Sequence, residues 1–337
     1  MEPQLEQRPA DWLALGADVG GTSTRILVAA ADGTPVGRGV AGGGNPVSHP
    51  DTAAAALGQA LTAALAGIDP ARVRAAVVGV AGGSALSRPE VRAAFDRVWS
   101  ETGVNCAPAY VSDLEIAFAA GTAEPDGTVL IAGTGAVAGA VQSRHLVHTS
   151  DGHGWLLGDD GSGFWLGREA ARATLRTLDA GDPPGPLATS VLRALQVPDG
   201  PGASAQPPDP HWQRVRVIDA LNSRPPVRLA ELAPSVTTAY SVGDPQSLRI
   251  VDEAARLLFE SVCRVRRHDE HTPIVLAGSV ASEDSPVGVA LRALVSEGLS
   301  GPTLSARDGV AGAAWLALTA AEANCATEEA RNRLSSV

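Results

Sequence analysis

The order of elements in this chain of 337 residues predicts an α/β protein with two similar domains. Three short apolar strands in a row are followed by alternating helices and strands, and this order begins twice, at residues 13 and 128. Each start has a Gly/Thr turn after its first strand. A repeated order of elements is typical of an internal duplication. We therefore expect two related domains that face each other, and a hydrophobic content of 45% is enough for two cores.

The first half of the chain carries clear turn and capping signals. Asp32-Gly33 lies between two apolar stretches and is a strong hairpin signal. Ser48 is a suitable N-cap, with Pro50 in the first turn of the helix that follows. From these signals we expect strands at Leu13–Asp18, Arg25–Ala31, Val36–Ala41, Ala75–Val80 and Ala109–Ser112, and helices at 48–65, Arg88–Glu101 and Leu114–Ala120.

The second half repeats this layout and adds helices. The segment 181–211 is rich in Pro, Gly and Asp, and we interpret it as an irregular connector in a helical subdomain. A functional lid is the alternative interpretation. Elsewhere we expect strands at Thr128–Ala132, Val137–Gln142, Arg144–Thr149 and Ile274–Leu276, and helices at Gly161–Leu178, Leu229–Tyr240, Pro245–Arg267 and Val310–Ala321.

Composition excludes several classes of function. All 26 basic residues are arginine, and the chain has no lysine. A Walker-type P-loop, a protein-kinase strand lysine, a Schiff base and a Tyr–Lys dehydrogenase pair each need a lysine and are excluded. The net charge of −11 argues against nucleic acid or an anionic membrane as a partner.

The chain also lacks the usual signals for secretion. Residues Met1–Asp11 contain no apolar signal segment, and no apolar run approaches the roughly 20 residues of a membrane span. Three distant cysteines, Cys106, Cys263 and Cys325, are typical of reduced thiols rather than of a disulfide framework or a zinc site. We therefore expect a cytoplasmic protein with no membrane partner.

The turn after the first strand has the residues of a phosphate loop. Glycines let the backbone approach an anion closely, and main-chain N–H groups and hydroxyls donate hydrogen bonds to phosphate without lysine. Asp18, at the strand end, is suited to hold a hydrated Mg²⁺. An ordinary hairpin turn is the alternative. The candidate phosphate ligands are Gly20, Gly21, Thr22, Ser23 and Thr24.

A matching turn at Gly133-Thr134-Gly135 strengthens the phosphate interpretation. Two such loops from duplicated domains would grip one polyphosphate from both sides, with Thr134 as the donor to the γ-phosphate. The glycine spacing also fits a dinucleotide fingerprint with Asp151 as its acid, but that fingerprint needs a helix directly after the glycines. Val137–Gln142 has the pattern of a strand instead.

Asp113 is the candidate general base. It follows a predicted strand and opens a predicted helix, at the sheet edge where α/β proteins bind ligands. A carboxylate there can take a proton from a sugar hydroxyl during phosphate transfer. An N-capping role is the alternative, and the two roles are compatible. Asn45 and Asp159 are candidates to orient a polyol, or else are loop and cap residues, and His153 in the same region as Asp159 is otherwise a solvated loop histidine.

These features together resemble a known family. Asp18–Arg25, Asp113, Ile131–Ala138, Gly154–Arg168 and Val275–Ala281 resemble the N-acetylglucosamine kinase-like, or BadF/BadG, branch of the actin/hexokinase/Hsp70 superfamily. Within it, the chain looks most like actinobacterial glucosamine kinases. The resemblance implies two duplicated ribonuclease H-like (actin-like ATPase) domains around a central cleft. It divides the chain into residues 1–115, residues 116–320 with a helical insertion, and a tail at 321–337.

The resemblance also implies a reaction and its residues. ATP and Mg²⁺ would be the cofactors, the 6-hydroxyl of a small amino sugar the acceptor, and a homodimer the assembly. Asp18 would bind Mg²⁺ through water, and Asp113 would be the base. The sugar would contact Asn45, Gly82, Asp113, Gly152, His153, Gly154 and Asp159. The nucleotide would contact Gly20 to Thr22, Gly133 to Gly135, and Gly278 with Ser279.

Departures from related families narrow the alternatives. The cysteine-rich zinc motif of ROK sugar kinases is absent, and the three cysteines do not match those that hold the iron–sulfur cluster of dehydratase activators. An ATPase activator, a sugar sensor and an N-acetylglucosamine kinase remain alternatives to a glucosamine kinase. Acidic residues favour the charged amine of glucosamine, although Glu115 and Asp160 alternatively face solvent or cap helices. The acidic set is Asp113, Glu115, Asp151, Asp159 and Asp160.

Overall fold

A computed structural model describes residues 11–198, 200, 209–306 and 308–335 of the chain. Within these ranges it contains two five-stranded sheets and eleven α-helices. None of the helices in the described ranges is long and apolar enough to span a membrane. The chain divides into two compact units, and unit 1 takes the described residues of Met1–Asp126, Val141–Leu146 and Ala306–Val337, while unit 2 takes those of Gly127–Ala140 and Val147–Ser305.

Unit 1 is built on a mixed sheet of order β3-β2-β1-β4-β5. The first three strands form an antiparallel meander, and β4 and β5 then add parallel to β1. The carboxyl ends of three parallel strands therefore meet at one edge, where Val19 pairs with Val80 and Val80 with Ser112. The strands are β1 (Leu13–Val19), β2 (Ser23–Ala30), β3 (Pro35–Gly42), β4 (Val73–Val80) and β5 (Pro108–Ser112).

Helices cover both faces of this sheet. One face packs on Leu57, Leu61, Phe95 and Trp99 from two helices, and the other packs on a second cluster that includes Trp315. Burial of these side chains is the main term that stabilises the unit. The helices are α1 (Ala53–Ala64), α2 (Pro89–Ser100), α3 (Asp113–Gly121), α10 (Gly309–Ala321) and α11 (Glu328–Ser335).

Unit 2 is built on a sheet of order β10-β9-β6-β7-β8 and a layer of helices. A single large core joins the sheet to the helices, and its centre includes Leu130, Leu258 and Leu291. The strands are β6 (Gly127–Ala132), β7 (Ala136–Gln142), β8 (His145–Asp151), β9 (Ile274–Ala277) and β10 (Thr303–Ala306). The helices are α4 (Gly163–Asp179), α5 (Pro186–Ala194), α6 (Pro210–Asn222), α7 (Ala233–Tyr240), α8 (Pro245–Val265) and α9 (Pro286–Gly298).

Several element predictions need correction. The first helix starts at Ala53 rather than at residue 48, because the Asn45 side chain accepts hydrogen bonds from the N–H groups of Val47 and Ser48 and holds that segment as turns. The predicted connector at 181–211 contains α5, and α6 begins at Pro210. Residues 199 and 201–208 of that connector lie outside the described ranges. The sequence patterns also missed α9, β10 and α11.

The domain boundaries differ from those expected at 115 and 320. The α3 and α10 helices pack in the core of unit 1, where Ile116 and Trp315 belong to the same buried cluster as Ala14 and Val77. The chain thus returns to unit 1 for its last helices. Unit 1 is made of separate segments of the chain because the apolar faces of α3 and α10 pack against the first sheet.

Candidate functional site

The candidate site of unit 1 lies at the carboxyl edge of its parallel strands. Asp18 pairs with Gly79 in the β1–β4 register, and Ser112 ends the neighbouring β5. The β1–β2 turn, the residues after β4 and the start of α3 are therefore neighbours at this edge. The sequence predicted this arrangement, since ligands of α/β proteins bind where the strands end.

The β1–β2 turn is fixed by the Gly-rich segment after β3. The carbonyl of Gly20 accepts hydrogen bonds from the N–H groups of Gly44 (2.9 Å) and Asn45 (3.1 Å). The Nε2 of His49 lies 2.7 Å from the carbonyl oxygen of Gly21, so Nε2–H is the donor. Gly21 itself is exposed. The turn is thus held from behind while its outer surface stays open to a ligand.

Thr24 does not fit the predicted phosphate-binding role. Its side chain is fully buried, and its hydroxyl has no hydrogen-bond partner among the described residues. A Cβ on Gly44 would lie 2.4 Å from that hydroxyl, so the Gly44 backbone covers it. Side chains alternate at the start of β2, so Thr24 is buried between the half-buried Ser23 and Arg25, whereas Thr22 lies in the turn and is exposed. Thr22 and Ser23 are the hydroxyls that remain available.

Asp18 is paired with Arg25, its register partner on β2. The second guanidinium nitrogen of Arg25 lies 3.0 Å from a carboxylate oxygen of Asp308, the N-cap of α10. Burial raises the pKa of Asp18, the Arg25 charge lowers it, and the Asp308 charge raises it further, with a net upward shift. One guanidinium therefore holds two carboxylates at the end of β1.

The donor set around Asp18 suits a hydrated magnesium ion. Carboxylate oxygens are the ligands Mg²⁺ prefers, and it is usually bound by one or two carboxylates together with waters and substrate phosphates. Asp18 and Asp308 are such a pair, with side chains 14% and 27% exposed. No group of three or more potential ligands occurs among the described residues. A metal ion here would therefore also need water and a nucleotide as ligands.

Asp113 occupies the first turn of α3, but it is not the N-cap. Ser112 is the N-cap and forms a capping box with Glu115. One carboxylate oxygen of Asp113, Oδ1, accepts hydrogen bonds from the Ser112 hydroxyl and the Leu114 N–H, each at 3.1 Å. Burial raises the pKa of Asp113 to about 6, the Ser112 hydrogen bond opposes the shift, and the charge of Asp18 adds to it.

Asn45 and Gly82 are neighbours, as a shared binding role requires. The Asn45 side-chain oxygen accepts from the Val47 N–H at 2.8 Å, so the NH₂ group is the part of the amide that can donate to a ligand. Gly82 has a left-handed backbone with φ +68°, and a Cβ there would lie 2.7 Å from Asn45 Oδ1. Only glycine fits this position without strain.

In unit 2, the candidate residues gather around the turn between β6 and β7. The carbonyl of Gly133 accepts a hydrogen bond from the Gly163 N–H at 2.7 Å, and that of Thr134 from the Phe164 N–H at 3.1 Å. The first turn of α4 thus holds this loop. Because β7 rather than a helix follows Gly135, the dinucleotide fingerprint is ruled out.

Two aspartates in the left-handed region shape the neighbouring loop. Asp151 (φ 65°) accepts hydrogen bonds from the N–H groups of Asp159 (2.8 Å) and Asp160 (2.9 Å). Asp159 (φ 58°) in turn accepts from the Ala136 N–H at 3.1 Å. Strained backbone of this kind clusters at functional sites. Burial raises the pKa of Asp159, and the charges of Asp151 and Asp160 add to the shift.

The glycine turn at 152–154 lies beside these aspartates. The Gly152 N–H donates to the Ala136 carbonyl at 3.0 Å, so this turn also rests on the β6–β7 loop. Gly154 and His153 are exposed. An open cavity of about 320 Å³, within the range of ligand pockets, is lined by His148, Thr149, Ser150, Asp151, His153, Leu157, Gly158, Asp160 and Arg264.

Gly278 and Ser279 follow β9, next to the same turn. β9 runs parallel to β6, with Ala277 paired to Ile131. Gly278 has φ +90°, and a Cβ there would lie 2.3 Å from the Ala132 carbonyl oxygen. That carbonyl also accepts from the Val280 N–H at 2.9 Å. The predicted residues of unit 2 are therefore brought together around Ala132–Ala136.

Sequence reasoning missed four residues that shape these sites. The contact of Arg25 could have been predicted, because a hairpin that pairs Val19 with Thr24 puts Arg25 opposite Asp18. His49 and Asp308 carry no local signal for their contacts. The spacing Ser112-x-x-Glu115 predicts a capping box and thus the bond to the Ser112 N–H, but nothing local predicts the second bond of Glu115, to the Leu146 N–H.

Solved sugar kinases share this fold. A protein from Chromobacterium violaceum, provisionally assigned as an N-acetylglucosamine kinase, has a TM-score of 0.67 and 23% identity, covering 92% of this chain and 100% of its own. A protein from Porphyromonas gingivalis with the same provisional assignment has a TM-score of 0.66 and 23% identity, with coverages of 89% and 96%. A ROK family glucokinase from Streptomyces griseus, in complex with glucose and AMPPNP, has a TM-score of 0.55 and 18% identity, with coverages of 90% and 98%. The predicted actin-like ATPase fold, with two ribonuclease H-like α/β domains, is confirmed.

Two relatives are similar in sequence over part of the chain. N-acetylmuramic acid/N-acetylglucosamine kinase of Clostridium acetobutylicum is 31% identical over 154 residues, which are 45% of this chain and 46% of that protein. N-acetyl-D-glucosamine kinase of Dictyostelium discoideum is 27% identical over 173 residues, 50% of this chain and 51% of that protein. The chain thus spans about half the length of these curated relatives.

The family itself is identified over most of the chain. The match to the BadF/BadG/BcrA/BcrD ATPase family extends over residues 15–317. It includes the β1–β2 turn, Asp113, the β6–β7 turn and Gly278. This chain therefore belongs to the BadF/BadG/BcrA/BcrD ATPase family.

Proposed function

We propose that this protein is an ATP-dependent amino-sugar kinase that phosphorylates the 6-hydroxyl of D-glucosamine. The observation that carries the proposal is Asp113. It begins α3 at the carboxyl edge of the sheet, and burial raises its pKa to about 6. A carboxylate with such a pKa is ionised at neutral pH and is a better proton acceptor than an ordinary aspartate. Sugar kinases need a base of this kind.

The Asp113 carboxylate divides its two oxygens between structure and chemistry. Two donors at the start of α3 fix Oδ1. We assign Oδ2 as the atom that accepts the proton of the sugar hydroxyl. The hydroxyl oxygen then attacks the γ-phosphorus in line, the bond from that phosphorus to the β–γ bridging oxygen breaks, and ADP leaves. The proton stays on Asp113 until the product is released.

The phosphates would be bound by main-chain N–H groups and hydroxyls, because the chain has no lysine. In unit 1 the donors would be the N–H groups of Gly21 and Thr22 with the Ser23 hydroxyl, while the Gly20 N–H closes the turn on the Ser23 carbonyl at 3.0 Å. In unit 2 they would come from Thr134 and Gly135, with Thr134 facing the γ-phosphate, while the Gly133 N–H closes the turn on the Gly135 carbonyl at 2.9 Å. Magnesium, when bound near Asp18, would neutralise phosphate charge, and Gly278 with Ser279 would lie under the adenosine.

The choice of amino sugar rests on charge. Asp151, Asp159 and Asp160 are close enough for their charges to raise the pKa of Asp159. A substrate ammonium would relieve this repulsion, whereas an acetamide would not. Main-chain N–H groups bond to both carboxylate oxygens of Glu115 and of Asp151, so these two residues would act on the ammonium through their charge rather than by direct contact. Asn45, Gly82 and the 152–154 turn would orient the sugar hydroxyls.

N-acetylglucosamine is the second candidate substrate. It is favoured by the names of the two relatives, both of which are N-acetylglucosamine kinases. An ATPase activator or sugar sensor has less support. The described cysteines Cys106, Cys263 and Cys325 are unbonded and distant in sequence, and Asp113 would have no role in a sensor.

The deciding experiment is a coupled assay of ADP release with ATP and Mg²⁺. Glucosamine, N-acetylglucosamine and glucose are compared, with a reaction containing EDTA and one without sugar as controls. Glucosamine should give the highest kcat/KM, and Asp113→Asn should lose about 10²-fold or more of the turnover. Faster turnover of N-acetylglucosamine would support the second candidate, and no stimulation by any hexose would reject the kinase proposal. Sedimentation of the same protein tests the homodimer.

A further inference from the structure

Glu115 holds two separate main-chain segments with its two carboxylate oxygens. Oε2 accepts a hydrogen bond from the Ser112 N–H at 2.6 Å, and Oε1 accepts from the Leu146 N–H at 3.2 Å. An ordinary capping box makes only the first of these bonds. The second joins the start of α3 to a strand 31 residues further along the chain. The Glu115 side chain is only 10% exposed, so both bonds are shielded from water.

Residues 143 and 144, just before Leu146, bond to the segment 123–126 that follows α3. The Arg144 N–H donates to the Pro125 carbonyl at 2.7 Å, and the Arg144 guanidinium donates to the Ala123 carbonyl at 2.9 Å. The Ser143 N–H donates to the Asp126 carboxylate at 2.6 Å. Residues 143–146 therefore contact both the first turn of α3 and the segment that follows the helix. Glu115 makes the contact at the end that bears Asp113.

Ser112 transmits this contact to Asp113. The N–H of Ser112 is held by Glu115, while its hydroxyl donates to Asp113 Oδ1 and accepts from the Leu114 N–H. A shift of the Ser112 backbone would therefore move the hydroxyl and the Asp113 carboxylate together. A misplacement of about 1 Å of a reacting group can cost on the order of 10²-fold in rate.

We propose that Glu115 is a positioning residue for the base, which fixes Asp113 by clamping Ser112 to Leu146. This inference rests on the proposed function, because it assumes that Asp113 is the base. A carboxylate suits the clamp because both of its oxygens accept, as two facing N–H donors require. Glutamine retains one acceptor and turns an NH₂ group towards the other donor.

The charged groups near Glu115 do not make the hydrogen bonds that Glu115 makes to the Ser112 and Leu146 N–H groups. His145 Nδ1 lies 3.4 Å from Glu115 Oε1, but the His145 side chain is 78% exposed. The charge of Asp18 also acts on the Asp113 carboxylate, and Arg25 partly neutralises Asp18. None of these groups bonds to the Ser112 backbone among the described residues.

The test compares Glu115→Ala, which removes both bonds, with Glu115→Gln, which keeps the volume and one bond. We expect kcat to fall about 10- to 100-fold in the alanine variant and by less in the glutamine variant. The Kd values for sugar and ATP, measured by calorimetry, should stay within about twofold of the original. A purely structural role would instead lower Tm and leave the kcat of the folded fraction unchanged.

Two matched controls accompany these variants. His145→Ala removes the exposed neighbour and leaves both main-chain bonds, so kcat should not change. Asp69→Ala removes another side-chain cap in unit 1, where Asp69 accepts from the Ala71 N–H at 3.0 Å, and should affect Tm alone. If Glu115→Ala folds and keeps kcat within twofold of the original, the inference is wrong. If the alanine variant does not fold, the same criterion is applied to Glu115→Gln. Asp113→Asn distinguishes the positioning role of Glu115 from the proposed function, because full turnover of that variant would show that Asp113 is not the base.

Discussion

The carboxylate of Asp159 lies directly on the backbone of Gly135. It accepts the Ala136 N–H at 3.1 Å, and a Cβ on Gly135 would lie 2.8 Å from its Oδ1. The loop that contains Asp159 and the β6–β7 turn therefore pack directly against each other within unit 2. A residue predicted for the sugar and residues predicted for phosphate share a contact, which couples their positions.

Gly135→Ala should displace the Asp159 carboxylate and lower kcat/KM for the sugar about tenfold or more. The new methyl group occupies the space of Oδ1, and the hydrogen bond to Ala136 is lost with it. A double-mutant cycle with Asp159→Ala measures the coupling. If Gly135→Ala acts through Asp159, the double variant should be no worse than Asp159→Ala alone, whereas additive losses would contradict the idea.

Turnover should fall as the pH drops through about 6. Burial raises the pKa of Asp113 to about 6, above its ordinary value of 3.8, so the base is protonated and inactive below that pH. The pH profile of kcat/KM should therefore show an acid limb near pH 6. A profile that stays flat down to pH 4.5, with a folded enzyme, would mean that Asp113 does not limit turnover.

Asp113→Asn should stabilise the protein at neutral pH while it abolishes most turnover. The pKa of Asp113 is higher in the folded protein than in the unfolded chain, so the carboxyl ionises more readily when the chain is unfolded. The free energy of unfolding therefore falls as the pH rises from about 4 to about 6. Asparagine carries no charge and keeps a carbonyl to accept the Ser112 and Leu114 bonds. The Tm of the variant should exceed that of the original at pH 7.5.

The gain in Tm of the Asp113→Asn variant should depend on pH, and this dependence is the control for its cause. At about pH 3 or below, which is under the unfolded-state pKa of 3.8, Asp113 is mostly protonated in both states, so the two melting curves should converge. A variant that melts lower than the original protein at pH 7.5 would show that the charged carboxylate is a stabilising group, contrary to its raised pKa. The trade-off expected here is common where activity needs a strained or buried charge.

The local parts of the candidate site could be predicted from the sequence. Strand, Gly/Thr turn and strand occur within a few residues of each other, and so Asp18, Gly20 to Thr22 and Gly133 to Gly135 were found at the ends of strands as expected. The position of Asp113 followed from the same short-range pattern. Such signals depend on backbone propensity and alternation alone.

Features that depend on tertiary packing could not be predicted in this way. The ion pair of Arg25 with Asp308 joins residues from opposite ends of the chain, and the return of α10 to unit 1 follows from which apolar face it covers. The burial of Thr24 follows from strand alternation only if the strand begins at Ser23, whereas the sequence pattern begins it at Arg25.

Gly82→Ala should raise the KM for the sugar about tenfold while the KM for ATP changes little. The left-handed backbone at φ +68° is strained for alanine, and its Cβ would meet Asn45 Oδ1 at 2.7 Å. Asn45 would then lose the orientation that its bonds to the Val47 and Ser48 N–H groups fix. Gly83→Ala is the matched control, because its Cβ meets only Val80 at 3.8 Å. Equal effects of the two substitutions would reject a specific role for Gly82.

Gly312→Ala tests whether the packing of α10 fixes the helix that carries Asp113. In an open helix interior this substitution stabilises by roughly 0.5–1 kcal/mol, because alanine is the better helix former. Here the new Cβ would lie 1.9 Å from the Ile116 carbonyl oxygen and 2.6 Å from the Ala120 N, both main-chain atoms of α3. Backbone cannot rotate away as a side chain can, so α3 must move, and overpacking of this kind costs about 1–3 kcal/mol or more. We expect urea unfolding to show a net loss of stability and kcat to fall with it, since Asp113 moves with the first turn of α3. A gain in stability would mean that α10 and α3 separate easily, and then Glu115 alone would have to hold the base in place.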